Sequence, residues 1–197
     1  FKTFGLDYKY LANGNDIESL IHLFEEVKDI DHPIVLHIHT EKGRGYQPAL
    51  ENKEAFHWHM PFDLETGQSK VIDSGKSYSS VMLDYMDKKV SEGLPLVAIN
   101  AAIPGIFGLK QFAAKYPDRY IDAGIAEQFT ITFGGAMAAT GARPIIFHNS
   151  TFVQRAYDQF WHDLAINEEP AIVIVKGGVI SGSDETHQGS SAMTWIS

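Results

Sequence analysis

At 197 residues the chain is long enough for one full domain and part of a second, and large enough to bury a core. Sixteen Lys and Arg stand against 25 Asp and Glu, a formal charge of −9 with no basic block, which excludes a phosphate-tracking nucleic-acid surface. With no cysteine there is no disulfide, thiolate nucleophile or Cys-ligated zinc; no apolar run reaches the roughly 18 residues of a membrane span, and the start carries no leader pattern, so a cytoplasmic protein is expected.

Between Asp16 and Asp29, Ile17, Leu20, Ile21, Leu23, Phe24 and Val27 recur at helical spacing, and Asp16 is placed to cap the first turn. Pro33 to His39 reads as a strand closed by the glycine-rich Lys42-Gly43-Arg44-Gly45. Residues 47–76 carry two prolines and few β-branched residues and read as a connection. The division expected from this is the end of one domain over residues 1–50, a linker over 51–75 and an incomplete second domain over 76–197. In the last of these, helices and strands alternate: helix Tyr78 to Glu92, strand Leu96 to Ile99, helix Leu109 to Tyr116, strand Arg119 to Ile121, helix Ala126 to Thr140, strand Pro144 to Phe147, helix Thr151 to Ile166 and strand Ala171 to Val175. The last strand is apolar throughout, as in a sheet covered on both faces. The fold class expected is α/β, a parallel doubly wound sheet, and the glycine-rich end after the last strand suggests a fragment.

Open α/β sheets bind ligands at the carboxyl ends of their strands, so chemistry is sought there. Neither G-x-G-x-x-G nor G-x-x-x-x-G-K-[ST] occurs. Glu127 opens an otherwise apolar helix after a strand, which fits either a carboxylate complementing the helix dipole or a buried functional acid. Ser150 or Thr151 is placed to cap the next helix, Arg155 is spaced to pair with Asp158, and Phe152 in the first turn is placed to stack on a planar ligand. Of the nine histidines, His37 and His39 read as sheet residues with satisfied ring nitrogens, and no pair sits at metal-binding helical spacing. His57 and His187 lie in loops, where an imidazole serves either as a proton shuttle or as a solvated side chain.

The stretches Lys42-Gly43-Arg44-Gly45-Tyr46, Phe56-His57, Tyr116-Pro117-Asp118-Arg119-Tyr120, Ile125-Ala126-Glu127-Gln128, Ser150-Thr151-Phe152-Val153-Gln154-Arg155-Ala156-Tyr157-Asp158-Gln159 and Thr186-His187-Gln188-Gly189 resemble, in this order, the middle portion of the 1-deoxy-D-xylulose-5-phosphate synthase family. The resemblance implies a transketolase-like fold that binds thiamine diphosphate between a pyrophosphate-binding and a pyrimidine-binding domain. It implies a homodimer that condenses pyruvate with a sugar-phosphate acceptor, glyceraldehyde 3-phosphate, and releases carbon dioxide. Carried onto matching positions, Glu127 would bond the ring nitrogen of the aminopyrimidine, Phe152 would stack on that ring and Tyr46 would contact the cofactor. His57 and His187 would move protons, and Arg155 and Lys176 would orient anionic substrate groups.

Several positions depart from the family. Lys176 stands where an Arg is usual, Asn149 where a substrate-facing Tyr is usual, and Phe129 where a His follows the Ala-Glu-Gln motif. Ser183 falls where the family has an Asp, with Asp184 beside it, and Asn149, Ser183 and Asp184 are carried as substrate contacts. The Gly-Asp-Gly and downstream Asn that bind magnesium and the diphosphate have no match, so Mg2+ ligands are expected in a preceding portion. Cofactor-side matches combined with substrate-side departures also fit a transketolase-like paralogue with other substrates, or a non-catalytic relative.

Overall fold

The computed structural model describes residues 1–57, 60–71 and 75–177, in two compact units, Phe1–Ser74 and Gly75–Ser197. The first unit is a strand–helix–strand element. Strand β1 (Asp7–Leu11) pairs in parallel with β2 (Ile34–Ile38) in the register Asp7 to Ile34, and helix α1 (Ile17–Val27) makes the crossover that a parallel pair requires. As expected, the Asp16 carboxylate caps α1 by accepting from the Ser19 N–H at 2.9 Å. β1 was not anticipated from the sequence, although Tyr8 and Tyr10 alternate with polar neighbours. Their hydroxyls meet His37 Nδ1 at 2.7 Å and His39 Nδ1 at 3.1 Å, so both sheet histidines are satisfied by the neighbouring strand. The supposed connection after residue 46 begins with a short helix α2 (Gln47–Glu51), folded back so closely that a Cβ on Gly43 would come within 2.8 Å of the Ala49 backbone. Gly43 also has φ +88°, and both facts call for glycine.

The second unit holds a four-stranded sheet in the order β4-β3-β5-β6, all parallel: β3 (Leu96–Asn100), β4 (Tyr120–Asp122), β5 (Arg143–Asn149) and β6 (Ile172–Lys176). The sequence-based expectation of a parallel doubly wound α/β sheet holds. Helix α3 (Tyr78–Ser91) leads into β3 and is opened by a reciprocal cap between Ser77 and Ser80. Helices α4 (Pro104–Phe107) and α5 (Leu109–Lys115) connect β3 to β4, and α6 (Glu127–Ala139) carries the chain from β4 past β3 to β5.

Alternate residues of the central strands supply two cores. Leu96, Ala98, Ile145 and Phe147 pack with Met86, Val90, Phe107, Leu109 and Phe112 of α3, α4 and α5. Val97, Ile99 and Ile146 pack with Ile131 of α6 and with Ala156. All five β3 residues are buried, which fits a strand covered on both faces.

The helix expected over Thr151 to Ile166 is instead broken into α7 (Ser150–Val153), a 3-10 turn (Gln154–Ala156), α8 (Tyr157–Gln159) and a π-helical stretch (Phe160–Ala165). The break accompanies close packing on α6: a Cβ on Gly135 would lie 2.7 Å from the Asp163 carbonyl oxygen, whereas one on Gly134 would meet the side-chain end of Ile146 rather than backbone. Gly135→Ala is therefore expected to destabilise the fold by about 1–3 kcal/mol despite its better helix propensity, and Gly134→Ala by clearly less, as read from urea unfolding midpoints.

Candidate active site

In the order β4-β3-β5-β6 the chain leaves β3 toward β4 on one side and leaves β5 toward β6 on the other. Such a reversal opens a crevice at the carboxyl ends of the two central strands. Polar side chains collect there because the strands themselves are apolar. Asp122, at the end of β4, accepts from Asn100 Nδ2 at 2.9 Å, from the Ala102 N–H at 3.0 Å and from the Gly124 N–H at 2.9 Å. Its carboxylate thereby fixes the turn after β3 to the turn that leads into α6. Ala102 has φ +59°, an uncommon conformation for alanine that this clamp helps to hold.

The turn delivers Glu127 as the first residue of α6, following Ala126, which offers no side-chain cap. The Glu127 carboxylate is only 4% exposed and is met by Arg155 Nη1 at 3.3 Å. Among the described residues no other group hydrogen-bonds that carboxylate. The expected Arg155–Asp158 pair is not formed: Asp158 pairs with His162 at 2.9 Å, and Arg155 is drawn across to the buried charge. A buried carboxylate demands a partner far more strongly than an exposed one does, which accounts for the exchange. The Arg155 guanidinium also stands 5.9 Å from the centre of the Phe152 ring, so Glu127, Arg155 and Phe152 form one cluster.

Two buried residues that sequence reasoning passed over stand behind it. The Thr130 hydroxyl donates to the Glu127 carbonyl oxygen at 2.7 Å and lies 2.8 Å from His148 Nε2. His148 is fully buried in β5, and burial pulls its pKa down to about 4, with the charge of Glu127 acting weakly in the opposite sense. The signal was present in the sequence as a histidine continuing the apolar run Ile145-Ile146-Phe147, but the strand was expected to end at Phe147.

The remaining candidates are held as follows. Asn149, rather than Ser150 or Thr151, caps α7 by accepting from the Thr151 N–H at 3.0 Å, and the Ser150 hydroxyl donates to the Gly177 carbonyl at 2.8 Å. The Lys176 ammonium donates to the Ile106 carbonyl at 2.7 Å and sits 5.9 Å from the centre of the Phe107 ring. In the first unit, the Tyr46 hydroxyl donates to the Leu64 carbonyl at 3.0 Å, and its ring packs against Phe56 and Phe62. Exposed His57 receives the Lys42 ammonium on Nδ1 at 2.6 Å, which places the ring proton on Nε2. His187, Ser183 and Asp184 lie outside the described residues. Among the described residues no group of three or more His, Asp or Glu is arranged to hold a metal ion, and no helix is long and apolar enough to cross a membrane.

Residues 74–197 match the family model of the transketolase pyrimidine-binding domain. The chain belongs to this family. As a transketolase-type pyrimidine-binding domain, its second unit places Glu127, Phe152 and Arg155 at the carboxyl edge of the sheet. The chain is 38% identical over 198 residues to 1-deoxy-D-xylulose-5-phosphate synthase 1 of Geobacter sulfurreducens, covering 100% of this chain and 31% of that protein. It is 42% identical over 201 residues to the corresponding enzyme of Geobacter metallireducens, covering 100% of this chain and 32% of that protein. To the 1-deoxy-D-xylulose-5-phosphate synthase of Methylobacillus flagellatus it is 38% identical over 197 residues, with the same coverage of 100% and 32%. The chain thus spans about a third of the length of the curated relatives it matches.

The low pKa of His148 makes a prediction for this transketolase-type domain. The unfolded chain binds a proton near pH 6.5 that the folded one refuses until about pH 4, so stability is complete above pH 6.5 and declines as pH falls through this window. Acidification from pH 6.5 to 4 is expected to cost the native chain about 3 kcal/mol more than it costs a His148→Phe variant, read from urea midpoints across the pH series.

Proposed function

We propose that the chain is part of a thiamine-diphosphate-dependent transferase that condenses pyruvate with glyceraldehyde 3-phosphate and releases carbon dioxide, the activity implied by its resemblance to the 1-deoxy-D-xylulose-5-phosphate synthases. The observation that carries this reading is Glu127: a carboxylate 4% exposed, at the start of a helix, on the carboxyl edge of a parallel sheet. The donor set suits the aminopyrimidine end of the cofactor. Arg155 bonds one carboxylate oxygen, Oε2, and the other is left to face a ring nitrogen, with the half-buried Phe152 ring beside it.

Bound thiamine diphosphate supplies the carbon nucleophile and electron sink that a 2-oxo acid needs in order to lose carbon dioxide. The chain's own part is to share a proton at Glu127 with the aminopyrimidine nitrogen, in surroundings where water does not compete for that hydrogen bond. Arg155 holds one carboxylate oxygen in place, and Phe152 offers a ring face for stacking. The reading retains Tyr46 as a cofactor contact and His57 and His187 as proton-transfer groups. Lys176, Asn149, Ser183 and Asp184 serve as substrate contacts. Mg2+, a homodimeric assembly and a cytoplasmic location belong to the same proposal.

In the complete protein carrying this chain, carbon dioxide release from pyruvate with thiamine diphosphate and magnesium is expected to depend on glyceraldehyde 3-phosphate. Glu127→Gln is expected to lower turnover at least about a hundredfold with the fold retained. Phe152→Ala is expected to weaken cofactor binding about tenfold. Acceptor-independent release, or near-native turnover in Glu127→Gln, would overturn the assignment.

A further inference from the structure

The first turn of α6 has to hold Glu127 in place without the usual means. Ala126 at its N-cap has φ −146° and ψ 60° and no side-chain oxygen, so none of the free N–H groups of that turn is met by a cap. What ties the turn to the sheet is Thr130. Its amide donates to the Ala126 carbonyl at 3.1 Å, and its hydroxyl donates to the Glu127 carbonyl at 2.7 Å.

A hydroxyl has one proton, and with that proton committed to Glu127, Thr130 can only accept from His148, 2.8 Å away. This sets the histidine tautomer. The ring proton sits on Nε2 and points at Thr130, while Nδ1 is a bare acceptor, buried and without a hydrogen-bond partner among the described residues. A buried ring with one nitrogen left unmet is a costly choice to follow the apolar run Ile145-Ile146-Phe147. Leucine or isoleucine would fill the position without that cost, but neither could donate to Thr130.

We infer that His148 is a positioning residue for Glu127: by donating to Thr130 from the buried carboxyl end of the central strand β5, it commits the Thr130 hydroxyl to the Glu127 carbonyl and so fixes the turn that aims the carboxylate. The inference rests on the role proposed for Glu127. It adds that the aim of this carboxylate is set from β5 through Thr130 as well as by Arg155. The ring is neutral at ordinary pH, so it orients the turn without offering the carboxylate a second cation.

The test is thiamine diphosphate affinity of the complete protein, measured by calorimetry, in a double-mutant cycle. His148→Phe and Thr130→Val are each expected to weaken binding about tenfold, and the double variant is expected to bind no more weakly than either single one, because both remove the same link. His148→Gln, whose amide donates from a position near that of Nε2, is expected to stay within about twofold of the parent. Selective 15N labelling of histidine is expected to show the Nε2–H tautomer for His148 in the parent protein.

Additive losses in the cycle, parent-like affinity in both single variants, or an Nδ1–H tautomer would each overturn the inference. Should His148→Phe fail to fold, Thr130→Val and His148→Gln decide: parent-like binding in the first, or a tenfold loss in the second, overturns it. Glu127→Gln separates the two levels. Parent-like cofactor affinity and turnover there defeat the reading of Glu127 itself, whereas a loss there combined with parent-like Thr130→Val and His148→Phe defeats only the role of His148.

Discussion

The two central strands of the second unit, β3 and β5, are buried along nearly their whole length, and the covering of their two faces decides where chemistry can sit. Leu96 and Ala98 face one helical layer while Val97 and Ile99 face the other, so the centre of the sheet has no room for a solvated polar group. Polar side chains are pushed to the carboxyl ends, where the crossovers leave in opposite directions. Asn100, Asp122, His148, Asn149 and Lys176 all stand at or next to the ends of strands. The crevice follows from the order in which the strands pair, and the residues in it follow from where the apolar runs stop.

Within that frame the cost of burying a charge governs the local arrangement. Glu127 could have been an exposed acid complementing a helix dipole, a role many acids play at little gain. Its burial changes the energetics: Arg155 abandons a surface pair with Asp158 to reach it, because an exposed ion pair contributes little while an uncompensated buried charge costs several kcal/mol. The partner is itself half exposed, so the carboxylate is held without being fully neutralised. Two exposed charges at the same edge tie down neighbouring backbone: the Lys176 ammonium donates to the Ile106 carbonyl, and the Asp122 carboxylate gathers backbone N–H groups from two turns. In each case a charged group orders a loop at the sheet edge.

The elements that were legible in the sequence are those with strong periodicity or a capping signal. The Asp16 cap, the apolar strand after residue 171 and the helical spacing of apolar residues in α1 are local facts, written within a few residues of one another. The helix after β5 was read as continuous, because its pattern carries no record of the Asp163 backbone pressing on Gly135 of α6. β1 was missed because its tyrosines are satisfied by histidines 29 positions away, a pairing that no local window contains.

The candidate site divides along the same line. The motifs around Glu127, Phe152 and Arg155 determined by themselves which residues to examine and which family they resemble, since side-chain chemistry and spacing are properties of the chain. That Arg155 turns to Glu127 instead of Asp158, and that His148 backs the turn through Thr130, was decided only in the folded molecule. Ion pairs and buried tautomers are chosen by burial and by competition among neighbours, and both come into being only when distant strands and helices meet.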